Sequence, residues 1–347
     1  RADGVIEGSG KIRRSAAGAL GGNASISSAQ GSISYTDRAE APLLRYDQLR
    51  LSADLAPTSR HIELHGGLED GGRIDGQLTL SGAQQTLGGQ LDLRLSNLAF
   101  VELLSSELAN VKGGADGNLR FAGTLGQPVL TGQASVHGFA AEVPSAGLKL
   151  SDGQLAIGTV DARRFQIHGQ LKSGTGTLAI DGVAGLAAGA PTRLTLAGSR
   201  FTAVDIPAAK VVVSPDLTVR RDGSGIDIGG ALGIDSADIN ADQLPGAGAT
   251  RASPDVVVVD EPQQQRAAGK LPLSATIRVD LGQHAHVVGM GLDGRVSGTL
   301  NVIERPGRAT TGRGQIAVDG TYRAYGQNLQ IQRGQLLFAS TPLDNPG

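Results

Sequence analysis

The 347-residue sequence has no cysteine and no tryptophan. Without cysteine it can form no disulfide, no thiolate metal site and no cysteine nucleophile. Such a chain suits a periplasmic setting, where a long polypeptide must avoid accidental disulfides. Aromatic residues make up only 3%, so apolar surface has to come from Leu, Ile, Val and Ala. The net charge is −2 and blocks of like charge are missing, which removes the electrostatic footprint of a nucleic-acid binder and of a polybasic membrane patch. No apolar run approaches the roughly 18 residues of a membrane helix, and no signal-peptide pattern opens the chain. P-loop, G-x-S-x-G and H-E-x-x-H patterns are missing too. The scattered carboxylates form no pair poised for acid–base work. No enzyme, catalytic residue, metal or cofactor is expected.

What is abundant is glycine, with 52 residues, about twice the usual share of roughly 7%. Around it runs a period-two alternation of apolar and polar residues. It appears in "LRLSADL" (49–55), "IDGQLTL" (74–80), "QLDLRLS" (90–96), "NLRFAG" (118–123), "FQIHGQL" (165–171), "TIRVDLG" (276–282) and "GTLNVIE" (298–304). Each run is bounded by Gly, Pro, Asp or Ser, so the chain reads as strand, turn, strand, with one apolar face and one wet face. A helical spacing occurs once, in "AFVELLSSELANVKGG", where Val101, Leu104, Leu108 and Val111 recur at three or four residues before Gly113.

The expected fold is therefore all-β: an elongated, curled sheet, open like a solenoid groove, with an apolar interior and one short helix. Groove repeats are assigned to residues 1–98 and 112–252, the amphipathic helix to 99–111, and a partly mobile loop to 253–272. Further repeats fill 273–347 and contain "YGQNLQIQRGQLLF". An internal repeat supports this. "GNLRF" (117–121), "GQASVHG" (132–138) and "LKLSDGQLAI" (148–157) return in the same order as "GTLNV" (298–302), "GQIAVDG" (314–320) and "LQIQRGQLLF" (329–338).

Alternation nominates the residues of the groove interior. They are Leu91, Leu93, Leu95, Leu119, Phe121, Leu148, Leu150, Ile277, Val279, Leu281, Leu329, Ile331, Leu336 and Phe338. An open aliphatic groove suits phospholipid acyl chains, which need no hydrogen-bond partner and gain about 0.8 kcal/mol per buried methylene. The two histidines and the glutamate of "HIELH" (61–65) share one strand face and could hold a metal, as could those of "HAH" (284–286). A solvated face opposite Ile62 and Leu64 is the favoured reading.

Three stretches, "VVVSPDLTVRRDG" (211–223), "SPDVVVVDE" (253–261) and "GTYRAYGQNLQIQRGQLLFASTPLDNP" (320–346), resemble the TamB group of the AsmA-like, bridge-like lipid transfer family. The resemblance implies a curled β groove that spans the periplasm from an inner-membrane anchor to an outer-membrane TamA-like Omp85 barrel. It implies phospholipid transport in outer-membrane biogenesis. One alternative is a chaperone-like channel for autotransporters and other outer-membrane proteins; another is a purely structural β solenoid. Anchor and docking segments are expected outside these residues, because the sequence starts inside a strand-like pattern and stops after "NPG".

Overall fold

A computed structural model describes residues 2–16, 18, 20–34, 43–185, 189–244, 271–324 and 326–343. The chain divides into two compact units. The first comprises residues 1–145, 149–172 and 181–187; the second comprises 146–148, 173–180 and 188–347.

The first unit begins with β1 (Ala2–Gly4), β2 (Glu7–Arg14), β3 (Leu20–Ser28), β4 (Gly31–Ile33) and β5 (Leu44–Ala56). β3 and β4 lie end to end along β5, through Leu49–Leu55 and Leu44–Tyr46 respectively. β2 and β1 line up against them in turn. An antiparallel meander follows: β6 (Ser59–Leu68), β7 (Arg73–Ser81), β8 (Thr86–Leu95), β9 (Ala109–Thr124) and β10 (Gln127–Val143). After it come β11 (Leu148–Asp161), β12 (Arg164–Ser173) and β13 (Gly176–Gly185), which is divided between the units.

In the second unit, β14 (Thr192–Ser199) and β15 (Phe201–Ile206) lie end to end along β16 (Ala209–Arg221). β17 (Ile226–Asn240) pairs with β16 antiparallel and with β18 (Leu273–Gly289) parallel. β19 (Leu292–Glu304), β20 (Thr311–Ala324) and β21 (Gln327–Pro342) continue antiparallel. A parallel pair needs a crossover, and residues 241–272 supply it. The mobile loop expected at 253–272 lies outside the described residues, apart from Leu271 and Pro272.

The all-β expectation holds in both units, and each is an open antiparallel meander with one parallel joint in the second. Three short 3-10 turns, Ala99–Leu103, Pro144–Ala146 and Ala241–Gln243, are the only helical elements among the described residues. Burial is correspondingly thin. Thirteen apolar residues are buried there, five of them alanines, and the most enclosed side chain is Ser173. No helix layer covers either sheet among the described residues.

The amphipathic helix expected at 99–111 is corrected. A single 3-10 turn occupies Ala99–Leu103, and Val111 already belongs to β9. The spacing of four apolar residues imitated a helix stripe, yet Leu104 is 79% exposed and Val111 only 3%. Ser105 and Ser106 propagate a helix poorly. The buried Glu102 carboxylate instead accepts the Val111 N–H at 2.8 Å and fixes the start of the strand.

The internal repeat is visible in the register. Gly132 opposes Leu119, and Gly314 opposes Leu300, the equivalent leucine of the second copy. Both glycines have positive φ, +132° and +149°. A Cβ would come within 2.0 Å of the Asn118 carbonyl oxygen in the first and 2.2 Å of the Thr299 carbonyl oxygen in the second. These are glycine kinks, which let a strand bend inside a sheet. At Gly132 the Thr159 hydroxyl of β11 accepts from the glycine N–H (2.6 Å) and donates to its carbonyl (2.9 Å). Gly132→Ala and Gly314→Ala are each expected to lower unfolding stability by about 2 kcal/mol or more in urea titrations. Gly126→Ala, where nothing lies within 4 Å, should stay within about 0.5 kcal/mol of the parent.

Candidate functional site

Residues directly opposed across antiparallel strands share a face, so the register groups the apolar positions into rows. In the first unit, Leu51, Leu64, Gly76, Leu91, Leu119 and Gly132 oppose one another in succession from β5 to β10. A second row runs Ala53, Ile62, Leu78, Gly89, Phe121 and Leu130, and a third Leu49, Gly66, Ile74, Leu93, Gly117 and Ala134. At about 4.8 Å per strand, each row extends roughly 24 Å. Leucines lean over the glycines between them. A methyl added at Gly117 would sit 3.2 Å from Leu93 Cδ2, and one at Gly76 3.2 Å from Leu91 Cδ1.

The second unit repeats the arrangement. Leu217, Gly230, Ile277, Val302 and Gly312 form one row. Leu232, Val279, Leu300, Gly314 and Phe338 form the next, and Ile234, Leu281, Gly298, Ile316 and Leu336 a third. Ile331 opposes Gly320 and Leu329 opposes Tyr322. A bulge between them and Gly334 sets Gln332 and Arg333 against the single residue Asp319, so Leu329 and Ile331 remain on the face of Leu336 and Phe338 despite the change of parity.

Every residue nominated from the sequence lies in a strand, and Leu91, Leu93, Leu95, Leu119 and Phe121 come together in one unit. Ile277, Val279, Leu281, Leu329, Ile331, Leu336 and Phe338 come together in the other. Leu148 and Leu150 open β11 and are half-buried. Phe338 is 7% exposed, Leu336 38% and Leu329 49%; the remaining eleven are half-buried. Ile62, Leu64 and Leu78 belong to the same face but were not nominated. The alternation in "HIELH" and "IDGQLTL" already carried that signal. The glycines of the rows could be recognised only once the register was known.

The opposite face is charged and wet. Arg94 and His137 meet at Asp116, at 3.3 and 3.0 Å. His65 pairs with Asp75 at 2.5 Å, and His61 contacts Thr79 and Glu63 at 2.9 and 3.0 Å. The histidines of "HIELH" thus belong to cross-strand polar contacts. His286 pairs with Asp293 at 2.9 Å, while His284 is exposed in a bulge of β18. A polar ladder Lys210, Asp238, His286, Arg295, Asp319 runs across five strands, with carboxylates opposite basic side chains at Lys210–Asp238, Asp238–His286 and Arg295–Asp319. A depression of about 900 Å3 in the first unit is lined by Asp3, Glu7, Arg45, Arg50, His65 and Glu69 together with Val5 and Leu49, a surface of mixed charge and polarity.

An open β protein built of repeats, with one aliphatic face and one ionic face, is the class these features define. The chain belongs to the TamB family. The family model for the TamB C-terminal domain matches residues 166–347, and that for the TamB N-terminal domain matches residues 1–136. A curated relative, the translocation and assembly module subunit TamB of Haemophilus influenzae (strain ATCC 51907 / DSM 11121 / KW20 / Rd), is 26% identical over 309 residues. The match covers 84% of this chain and 24% of the relative, so the chain spans about a quarter of that protein. No solved structure matches.

The polar face predicts an acid response. The Thr299 hydroxyl donates to Asp280 at 2.7 Å, and the Arg278 guanidinium donates at 3.2 and 3.1 Å. These bonds, that of Thr299 foremost, hold the Asp280 carboxyl below its ordinary value of 3.8. A depressed folded-state pKa means that the contribution to stability is complete above the unfolded value and lost as pH falls through the folded one. The urea midpoint is expected to drop between about pH 5 and about pH 2, and to drop less steeply in Asp280→Asn.

Proposed function

We propose that the apolar face carries the acyl chains of phospholipids, within a longer periplasmic bridge between an inner-membrane anchor and an outer-membrane TamA-like Omp85 barrel. The observation that carries this reading is the pair of row systems: aliphatic residues opposed strand after strand, half-open, with no second layer packed on them among the described residues. A face of this kind left to water is unfavourable by about 25 cal/mol per Å2 of apolar surface. Acyl chains cover it without asking for hydrogen bonds, and head groups stay in water at the open side. Neighbouring rows differ little in chemistry, so a chain can slide from one to the next over a smooth energy surface.

A second reading has its own support. β2 pairs on one side with β3 and is exposed along its whole length, and the Haemophilus relative is called a translocation and assembly module subunit. Strand addition to such an edge would suit unfolded outer-membrane proteins.

Photocrosslinkers at Leu93 and Ile331, compared with Gln77 and Gln330 on the polar face and with Lys11 on β2, separate the two. Lipid adducts should form from the first pair and not from the second; polypeptide adducts at β2 without lipid would favour strand addition. Leu93→Asp is expected to abolish transfer of phospholipid between vesicles while leaving the circular dichroism unchanged, because an unpartnered carboxylate among acyl chains costs several kcal/mol. Gln77→Arg, beside Glu63, should transfer normally. Unfolding of Leu93→Asp, with no lipid recovered from the parent chain, would instead identify a closed structural core.

A further inference from the structure

One stretch of the apolar face is covered. Leu98, Val111 and Ala141 form a buried cluster, 5%, 3% and 3% exposed. Packed against it are Leu95, Ala115 and Val136, which oppose one another as a further row of the apolar face. The cover comes from the connection between β8 and β9, which contributes Leu98, Phe100, Val101 and Leu108. That connection crosses toward β10 and is tied down twice. Val111 N–H donates to the buried Glu102 carboxylate at 2.8 Å, and the Ser145 hydroxyl donates to Glu107 at 2.9 Å. Its outer side shows Leu103 and Leu104, 42% and 79% exposed.

The second copy of the repeat has no counterpart. Thirteen residues, 96–108, precede β9, whereas only Met290 and Gly291 precede β19. A connection of that length is not needed to join two antiparallel neighbours, for which two residues suffice. Its apolar side is spent on covering a row that elsewhere is left open.

The geometry points to residues 97–108 as a strap that sets the limit of the binding face in the first unit, with Glu102 as its positioning residue. Resting on the acyl-chain reading above, it lets lipid reach Leu91, Leu93 and Ala134 but shuts it out from Val111 and Ala141. The strap thus fixes the width of face offered to lipid at this point of the chain, while the second unit offers its full width. Loosening Glu102 should widen the first unit's face to match.

The absence of cysteine makes a clean test possible. Ala134→Cys and Ala141→Cys lie on the same face of β10, outside and beneath the strap. Without lipid, N-ethylmaleimide should modify Ala141→Cys at least roughly tenfold more slowly than Ala134→Cys, since reaction there waits for local opening. Adding Glu102→Ala should raise the Ala141→Cys rate about tenfold, the loss expected for a hydrogen bond to a charged group, and leave Ala134→Cys unchanged. Glu102→Gln and Ser145→Ala provide milder releases should Glu102→Ala disturb the fold by circular dichroism. Equal rates at the two cysteines, or no response to any of the three releases, would overturn the strap. Dioleoyl phosphatidylethanolamine in detergent is then added. It should protect Ala134→Cys in every background and Ala141→Cys only when the strap is released. Lack of protection at Ala134→Cys would count against the acyl-chain reading, while the lipid-free rates would still decide the strap.

Discussion

Strand register is the constraint on which the rest of this structure depends. Side chains alternate with a period of two, so a slip of one residue would exchange the aliphatic face for the ionic one throughout a strand. In an ordinary globular domain a packed core would enforce the register. Here only thirteen apolar side chains are buried among the described residues, and other devices take over. Cross-strand pairs of opposite charge on the wet face, such as Arg94 with Asp116 and His65 with Asp75, match only in one alignment. Gly132 and Gly314 bring the backbone so close to Asn118 and Thr299 that no other residue type fits at either kink in this register. Each exposed ion pair contributes little to stability, but a slip would break several of them at once.

The two faces are therefore complementary in purpose. The ionic face holds the alignment, and this frees the aliphatic face from the need to be buried. Leu329 at 49% and Leu336 at 38% exposure would be faults in a sandwich; in a sheet aligned by its other face they are tolerable. The scarcity of aromatic rings fits the same logic. Large rings make deep, specific pockets, while Leu, Val and Ile with glycine between them give a lining that changes little from row to row.

Much of this was legible in the sequence because period two needs only neighbours in the chain. The runs around Leu91–Leu95 and Ile277–Leu281 translated directly into rows. The parity change between Ile331 and Leu336 could be read as an interruption at Gly334, and it is a bulge with one extra residue just before it, Gln332 and Arg333 standing against Asp319. What escaped were features that depend on partners far along the chain. The glycines at 76, 117, 230 and 298 look like turn residues in one dimension; the first two prove to be gaps that the side chains of Leu91 and Leu93 approach, and the last two are positive-φ kinks set against the backbone of the next strand. The helix at 99–111 failed for a related reason. Its spacing was amphipathic, but the surface it had to cover is a single row of a sheet face, and a 3-10 turn clasped by Glu102 covers it with fewer residues in regular helix.

Repetition with variation then explains how a uniform lining can still acquire local character. The two copies share the strand pair, the kink glycine and the opposing leucine, so their rows are built alike. They differ in what joins the strands, and loops tolerate insertion far better than ladders do. An insertion at a hairpin leaves every register downstream intact, yet its apolar side can fold back over the face. The sequence between Leu95 and Ala109 does this: Leu98 of the connection closes over Val111 and Ala141 of the sheet to form a buried cluster in the first unit. In a protein built from such repeats, the strands set what kind of molecule the face accepts, and the connections set how much of it is open.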